Sequence, residues 1–161
     1  MQQILYLVRH AHASDGPSDP ERPLSPKGKR QVSRICNALK GKSLINPSLV
    51  WHSPYRRAKE TADHLVEGLG LSVPVKTVEG ITPFDTPSTI FDPIEQSGEN
   101  LMVVGHEPHM SGLASLLLSG DPSAGYVVFP KSSILNLTRL KVGKRSTPWQ
   151  IAWHINHKHF K

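Results

Sequence analysis

The sequence predicts an α/β protein, a three-layer α/β/α sandwich with a mostly parallel central sheet. Two observations predict it: short apolar strand-like runs alternate with amphipathic helix-like segments, and the 14 prolines and 12 glycines fall between these segments as turn signals. A chain of 161 residues has the size of one domain. Since it shows no repeat and no linker, residues 1–161 are predicted to form a single domain.

The first predicted strand is the continuous apolar run Ile4–Val8, typical of a strand covered on both faces. Residues 14–23 are rich in proline, aspartate and serine and predict a loop. Ser25 followed by Pro26 predicts the start of a helix, as a capping residue followed by proline at the first helical position. The buried stripe of this helix has helical spacing and consists of Val32, Ile35, Cys36 and Leu39.

The second predicted strand is Leu49–His52, and Ser53-Pro54 repeats the helix-start signal directly after it. Val73–Val78 predicts a third strand, which Pro74 restricts to an edge or to a short pairing. Residues 83–98 are ambiguous, since Thr86-Pro87 favours a helix start and Pro93 would interrupt that helix.

The fourth predicted strand is Leu101–Val104, followed by a helix from about Pro108 to Leu118. Two or three strands are predicted to close the chain, at Tyr126–Phe129, Ser133–Leu140 and Trp149–Ile155.

Composition narrows the function classes. The chain carries 19 Lys and Arg against 13 Asp and Glu, which favours anionic partners such as phosphate groups and acidic proteins. Aromatic residues are only 6%, too few for stacking on single-stranded nucleic acid, so no nucleic-acid partner is predicted.

Cellular location is predicted from the cysteine count and the apolar runs. The single cysteine, Cys36, excludes an internal disulfide and any site needing two thiolates, which is typical of a reducing compartment. No run approaches the roughly 18 apolar residues of a membrane span, and Ile4–Val8 is too short for a signal-peptide core. We therefore expect a cytoplasmic protein without a membrane partner.

Polar residues follow three of the predicted strands, at the sheet edge where α/β proteins bind ligands. Arg9 and His10 follow the first strand, Arg56 lies in the first turn of the helix after the second, and His106 follows the fourth. Arginine matches phosphate oxygens with a planar fork, and imidazole can attack phosphorus to form a covalent intermediate. Several cations around one phosphoryl group leave no need for a metal, so no metal and no cofactor are predicted.

The segment Leu7–Ala11 resembles the signature of the histidine phosphatase superfamily, the phosphoglycerate-mutase-like group. The resemblance continues through residues 22–28, 53–62 and 103–108 in the family's order, and it implies a phosphoglycerate-mutase-like fold. The short length and the run Arg22-Pro23-Leu24-Ser25 resemble the SixA-type branch, the protein phosphohistidine phosphatases. Ala11 stands where the family commonly has glycine.

This resemblance implies a metal-independent phosphatase in which His10 becomes phosphorylated. The other three members of the implied phosphate pocket are Arg9, Arg56 and His106. Many family members use a carboxylic acid to protonate an alcohol leaving group, whereas SixA-type members, like this chain, lack an obvious dedicated acid. A P–N bond to imidazole needs less acid help than a phosphate ester, so hydrolysis of protein phosphohistidine or another phosphoramidate is expected.

Three further residues are expected at the substrate. Arg22 matches the branch motif and is predicted either to reach the pocket or only to anchor its loop. Ser53 stands at the same sheet edge, although Ser53-Pro54 also marks a helix start. Glu79 is the nearest candidate acid, and Glu107 is a second carboxylate that would also favour a helix N-terminus.

Three other functions stay open at this point. A protein with the same fold could hydrolyse small-molecule phosphate esters, so the expected partner is either a phosphorylated protein or a small phosphorylated metabolite. The protein is expected to be a monomer. The H-x-H pair His10-Ala11-His12 could instead belong to a metal-dependent hydrolase. A non-catalytic phosphate-binding module is the third possibility, although a binder has no need for a nucleophile beside its cations.

Overall fold

A seven-stranded sheet lies between two layers of helices in the computed structural model, which describes all of residues 1–161. The strands are β1 Gln2–Arg9, β2 Leu49–His52, β3 Val75–Thr77, β4 Leu101–Gly105, β5 Ile134–Val142, β6 Arg145–Ser146 and β7 Gln150–Ile155. The helices are α1 Pro26–Leu39, α2 Arg56–Leu69, α3 Ser88–Ser97 and α4 His109–Ser119, with short 3-10 turns at Asp19–Glu21 and His157–His159. None of the helices combines the length and the apolar sequence that a membrane crossing requires.

The strand order is β3-β2-β4-β1-β5-β6. Strand β7 pairs with residues 134–138 of β5, whereas β6 pairs with Lys141 and Val142 near its end. The four strands from β3 to β1 are parallel, whereas β5 runs antiparallel to β1 and to β6 and β7. The predicted three-layer, mostly parallel sheet is thus confirmed. Because β5 runs in the opposite direction, its first residues share one sheet edge with the carboxyl ends of β1, β2 and β4.

Each face of the sheet carries its own apolar core. Alternation along β1 sends Leu5 and Leu7 to one face and Tyr6 and Val8 to the other, all of them buried. The first face packs on α3 and α4 through residues such as Ile90, Ile94, Met110 and Leu113. The second face packs on α1 and α2 through Val32, Ile35, Ala58, Ala62 and Leu65.

The two predicted Ser-Pro helix starts behave differently. Ser25 caps α1 as predicted, since its side chain accepts a hydrogen bond from the backbone N–H of Gly28 at 3.0 Å. Helix α2 begins two residues later than the Ser53-Pro54 signal indicates, at Arg56 with Tyr55 as its capping residue. Ser53 instead accepts from the Tyr55 N–H at 3.2 Å, within the turn before the helix.

Two other predictions about secondary structure were wrong. The segment Tyr126–Phe129 is not a strand, and it leads through Pro130 into the turn before β5. Pro93 does not interrupt α3, which continues through it to Ser97. The edge position expected from Pro74 is confirmed, since β3 is the outermost strand and begins just after that proline.

Candidate active site

A polar pocket of about 280 Å³ opens at the sheet edge formed by the carboxyl ends of β1 and β4 and the turn before β5. Five separate stretches of chain supply its polar side chains. The charged and imidazole groups that line it are Arg9, His10, Asp19, Arg22, Arg57, His106, Glu107 and Lys131.

His10 is held by its backbone and by one ring nitrogen. Its N–H donates to the Gly105 carbonyl at 2.9 Å, which ties the end of β1 to the end of β4. The ring Nδ1 lies 2.7 Å from the carbonyl oxygen of Ala11. A carbonyl can only accept, so Nδ1 carries the proton and Nε2 keeps its lone pair. Arg57 donates to this Nε2 from its own Nε at 3.3 Å.

The environment keeps the His10 ring neutral. Burial, and then the neighbouring cations Arg57, Arg9 and Lys131, lower the pKa of His10 to about 3 against the opposing bond to Ala11. A neutral imidazole, which keeps an unprotonated nitrogen, is the form that can attack an electrophile.

Arg57 takes the position that the sequence analysis assigned to Arg56. Arg57 is only 5% exposed, and besides its contact with His10 it donates to the carbonyl oxygen of Asp19 at 2.8 Å. The Arg56 side chain is 57% exposed and pairs with Glu60 at 3.0 Å, four residues along the helix. Consecutive residues of α2 point about 100° apart, so Arg57 faces the pocket while Arg56 faces solvent.

His106 lies against His10, with ring centroids 5.1 Å apart. Its Nε2 is 2.7 Å from the Ser53 hydroxyl, and its buried Nδ1 has no partner. Tyr55 packs edge-on against this ring at 5.0 Å, and the Arg57 guanidinium lies 5.0 Å from the centre of the same tyrosine ring. Burial, and then the nearby His10 ring, lower the pKa of His106 to about 2.

Ser53 and Glu79 do not line the pocket. Ser53 is fully buried and contacts His106, so it orients an imidazole and does not face the pocket. Glu79 is exposed on the loop after β3. The pocket carboxylate nearest in sequence to the imidazoles is Glu107, which accepts from the backbone N–H of Ser111 at 2.8 Å and also bonds its hydroxyl.

Arg22 both lines the pocket and anchors its loop. Its Nε donates to the Ser14 carbonyl at 3.1 Å, and its guanidinium contacts the Asp19 carboxylate at 3.3 Å. The same carboxylate lies 3.4 Å from Arg57. Partial burial opposes ionisation of Asp19, but Arg57 and Arg22 hold its pKa below the ordinary value.

Sequence reasoning missed Lys131, which lies in the turn before β5. Burial, and then Arg9, Arg22 and Lys27, lower the pKa of this lysine. Arg9 is fixed nearby, since its guanidinium donates to the Phe129 carbonyl at 2.7 Å, while its buried Nε has no protein partner. The signal that could have found Lys131 is the direction of β5. Because β5 runs antiparallel to β1, the residues just before β5 lie at the same sheet edge as the carboxyl end of β1.

The H-x-H pair does not converge on one point. His12 directs its Nδ1 to the Ser25 hydroxyl at 2.7 Å, whereas His10 directs its Nδ1 to Ala11. No group of three or more His, Cys, Asp or Glu side chains is arranged to hold a metal ion.

The arrangement places a neutral imidazole nitrogen beside cations that would hold an oxyanion. Residues 5–85 match the family model described as histidine phosphatase superfamily (branch 1). An uncharacterized protein of Mycobacterium tuberculosis H37Rv, Rv1276c, is 34% identical over 117 residues, covering 70% of each chain. The chain belongs to the histidine phosphatase superfamily.

Solved structures show the same fold. The protein histidine phosphatase SixA in complex with tungstate superposes with a TM-score of 0.82 at 24% identity, covering 99% of both chains. The mycobacterial glucosyl-3-phosphoglycerate phosphatase complexed with VO3 gives a TM-score of 0.67 at 15% identity, covering 94% of this chain and 98% of that one. The fold is thus that of SixA and of the phosphoglycerate-mutase-like phosphatases. Together with this fold, the family-model match supports a phosphatase.

Proposed function

We propose that this protein hydrolyses protein phosphohistidine, or another phosphoramidate, without a metal and through a phosphorylated His10. One observation carries the proposal: the Nε2 lone pair of a neutral, buried His10 faces the Arg57 guanidinium in a pocket that Arg9 and Lys131 also line. An anion drawn to those cations is held beside the nucleophile.

The reaction has two displacements. First, Nε2 of His10 attacks phosphorus, the new N–P bond forms, and the bond from phosphorus to the leaving nitrogen breaks. The leaving imidazole departs with a proton taken from solvent. Second, water attacks the phosphorylated His10 and releases inorganic phosphate, so that the ring returns to its neutral form.

The surrounding groups act on charge. Arg57 and Arg9 neutralise the negative charge on the equatorial phosphoryl oxygens, as arginine side chains do in other phosphoryl-transfer enzymes. The unpartnered Nδ1 of His106 is a further donor, and a bound phosphoryl dianion raises the pKa of this ring. Ser53 fixes the His106 ring from its other nitrogen.

The state of the two pocket carboxylates supports a substrate in which a P–N bond is broken. Asp19 is held ionised by two arginines and cannot supply a proton at neutral pH. Glu107 is engaged by Ser111 at the start of α4. Neither is a free acid, and a phosphoramidate needs less acid help than an alkyl phosphate.

Phosphate-ester hydrolysis is the second candidate. It is favoured by the Glu107 carboxylate, which lines the pocket next to His106 in the sequence and would serve as the acid if protonated.

We also infer that the protein is a monomer, consists of one domain and is cytoplasmic. The single sheet to which all strands belong supports one domain, and the buried, unpaired Cys36 supports a reducing compartment such as the cytoplasm.

A turnover comparison tests the proposal. The same enzyme is given a phosphohistidine peptide, phosphoramidate and p-nitrophenyl phosphate, each with and without a chelator. We expect kcat/KM to be highest for the two P–N compounds and unchanged by the chelator. A preference for the ester would favour the second candidate, loss of activity with chelator would favour a metal-dependent hydrolase, and no turnover of any substrate would favour a phosphate-binding module.

A further inference from the structure

A second polar cleft lies beside the pocket, between α1 and the 3-10 turn His157–His159. Its volume is about 120 Å³, and no acidic or apolar side chain lines it. The lining residues, named here the α1 basic cleft, are Lys27, Arg30, Gln31, Arg34 and His157.

The cations of this cleft are unpaired. Lys27, Arg30 and Arg34 are exposed, and none of them belongs to the ion pairs of the structure. Helix α1 contains no acidic residue at all, and no acidic residue follows Asp121 in the chain. By contrast, the basic residues of α2 at Arg56, Arg57 and Lys59 all have carboxylate partners. The positive charge of the cleft is therefore available to an external anion.

The cleft adjoins the nucleophile. Gln31 accepts from the backbone N–H of His12 at 2.9 Å, two residues beyond His10. On the other side, His157 bonds the Ser132 hydroxyl at 2.8 Å, next to Lys131 in the pocket. After burial, the positive charge of Lys27 is one of the causes that lower the pKa of His12 and the pKa of Lys131. One positive surface thus runs from the pocket onto α1.

We propose that the α1 basic cleft binds acidic side chains that flank the phosphorylated histidine of a protein substrate. The inference rests on the proposed function and adds the substrate's sequence context to it. Lys27, Arg30 and Arg34 repeat at helical spacing and span about 10 Å, the reach of about three extended residues. Carboxylates within a few residues of the phosphohistidine would meet these cations while the phosphoryl group enters the pocket.

The cleft is less suited to nucleic acid. Its lining residues include no Phe, Tyr or Trp, so it lacks the larger aromatic rings on which successive bases stack. Its cations also lead into a pocket that holds a nucleophile, whereas a nucleic-acid site would extend along a groove of its own.

Two matched peptides test this proposal. Each carries one phosphohistidine, flanked on both sides by either glutamates or glutamines. We expect kcat/KM for the glutamate peptide to exceed that for the glutamine peptide about tenfold at low salt, and the ratio to fall as salt screens the charges. Arg30→Glu with Arg34→Glu should bring the ratio to one or below, with turnover of the glutamine peptide retained.

The matched control is Lys144→Glu with Arg145→Glu, the same charge change at two exposed residues where the chain turns from β5 into β6. This turn lies about 25–30 Å along β5 from the pocket edge. The control should keep the wild-type ratio. Equal rates for the two peptides in the wild type, or equal effects of the two double variants, would overturn the proposal.

Binding separates this proposal from the proposed function. Fluorescence anisotropy measures the dissociation constants of the same two peptides without their phosphoryl group. If neither phosphopeptide is turned over, the proposed function fails, and tighter binding of the glutamate peptide that Arg30→Glu with Arg34→Glu abolishes still supports the cleft. Duplex DNA that binds at the cleft while the two peptides bind equally would assign it to nucleic acid and overturn the proposal.

Discussion

Arg57→Ala and Arg56→Ala form the sharpest pair of perturbations, because the two residues are adjacent and identical in chemistry. Arg57 is 5% exposed, and its Nε lies 3.3 Å from Nε2 of His10, the proposed nucleophile. Removing one preorganised donor from a transition state costs on the order of 100- to 1000-fold in kcat, or about 2.7–4 kcal/mol. Arg56 has only an exposed pair with Glu60, and such a pair contributes about 0.3–0.5 kcal/mol.

The assay is steady-state hydrolysis of phosphoramidate, with thermal denaturation of each variant to confirm folding. Arg57→Ala should lose at least 100-fold in kcat, whereas Arg56→Ala should stay within about threefold of the wild type. Arg57→Lys should fall between them, because it keeps the charge and loses the planar fork. An Arg56→Ala enzyme that is folded and as inactive as Arg57→Ala would refute this reasoning.

Four other predictions follow from the geometry. Ser53→Ala should lower both kcat and the melting temperature, since it leaves a buried His106 nitrogen unsatisfied at a cost of roughly 1–3 kcal/mol. Glu79→Gln should leave kcat/KM for phosphoramidate unchanged, since Glu79 is exposed outside the pocket. Lys131→Gln should raise KM for phosphoramidate about tenfold through the loss of one pocket cation. The melting temperature should fall as pH drops from about 6.5 towards 3, and fall less in His10→Asn, because only the unfolded state readily protonates this ring.

Each of these has a contradicting result. Ser53→Ala with normal kcat would mean that His106 needs no orientation by its neighbour. A slow Glu79→Gln enzyme would show that this loop reaches the substrate. For Lys131→Gln, an unchanged KM would remove the lysine from substrate binding. For His10→Asn, a melting temperature that depends on pH as in the wild type would show that His10 does not resist protonation in the folded state.

The sequence was sufficient for the parts of the structure that depend on local patterns. Apolar runs of four or five residues between turn signals located β1, β2 and β4, and the Ser25-Pro26 pair located α1. Polar residues at the ends of those strands located the pocket edge, since parallel strands end together.

The predictions failed where the position of a side chain depends on the rotational phase of a helix or on the pairing of strands that are distant in the sequence. Arg56 and Arg57 point about 100° apart on α2, so only one of the two can face the pocket. The buried stripe of α2 contained the signal, because Arg57 lies four residues before the buried Thr61, whereas Arg56 lies four before Glu60. Lys131 needed the direction of β5, which only its pairing with β1 determines.

Glu79 and Asp19 show a third kind of error. The position of Glu79 just after a strand predicts a place at the substrate, but β3 is at the sheet edge and Glu79 is exposed. Asp19 enters the pocket from a loop with no periodic pattern, through contacts with Arg57 and Arg22 that no local signal indicates.

Covalent labelling during turnover shows whether His10 is the residue that becomes phosphorylated. Enzyme turning over a 32P-labelled phosphoramidate is quenched rapidly in base, and the labelled residue is located by peptide mapping. We expect acid-labile, base-stable label on His10 alone, and neither label nor turnover in a folded His10→Ala variant. Label on another residue, or turnover that survives His10→Ala, would contradict it.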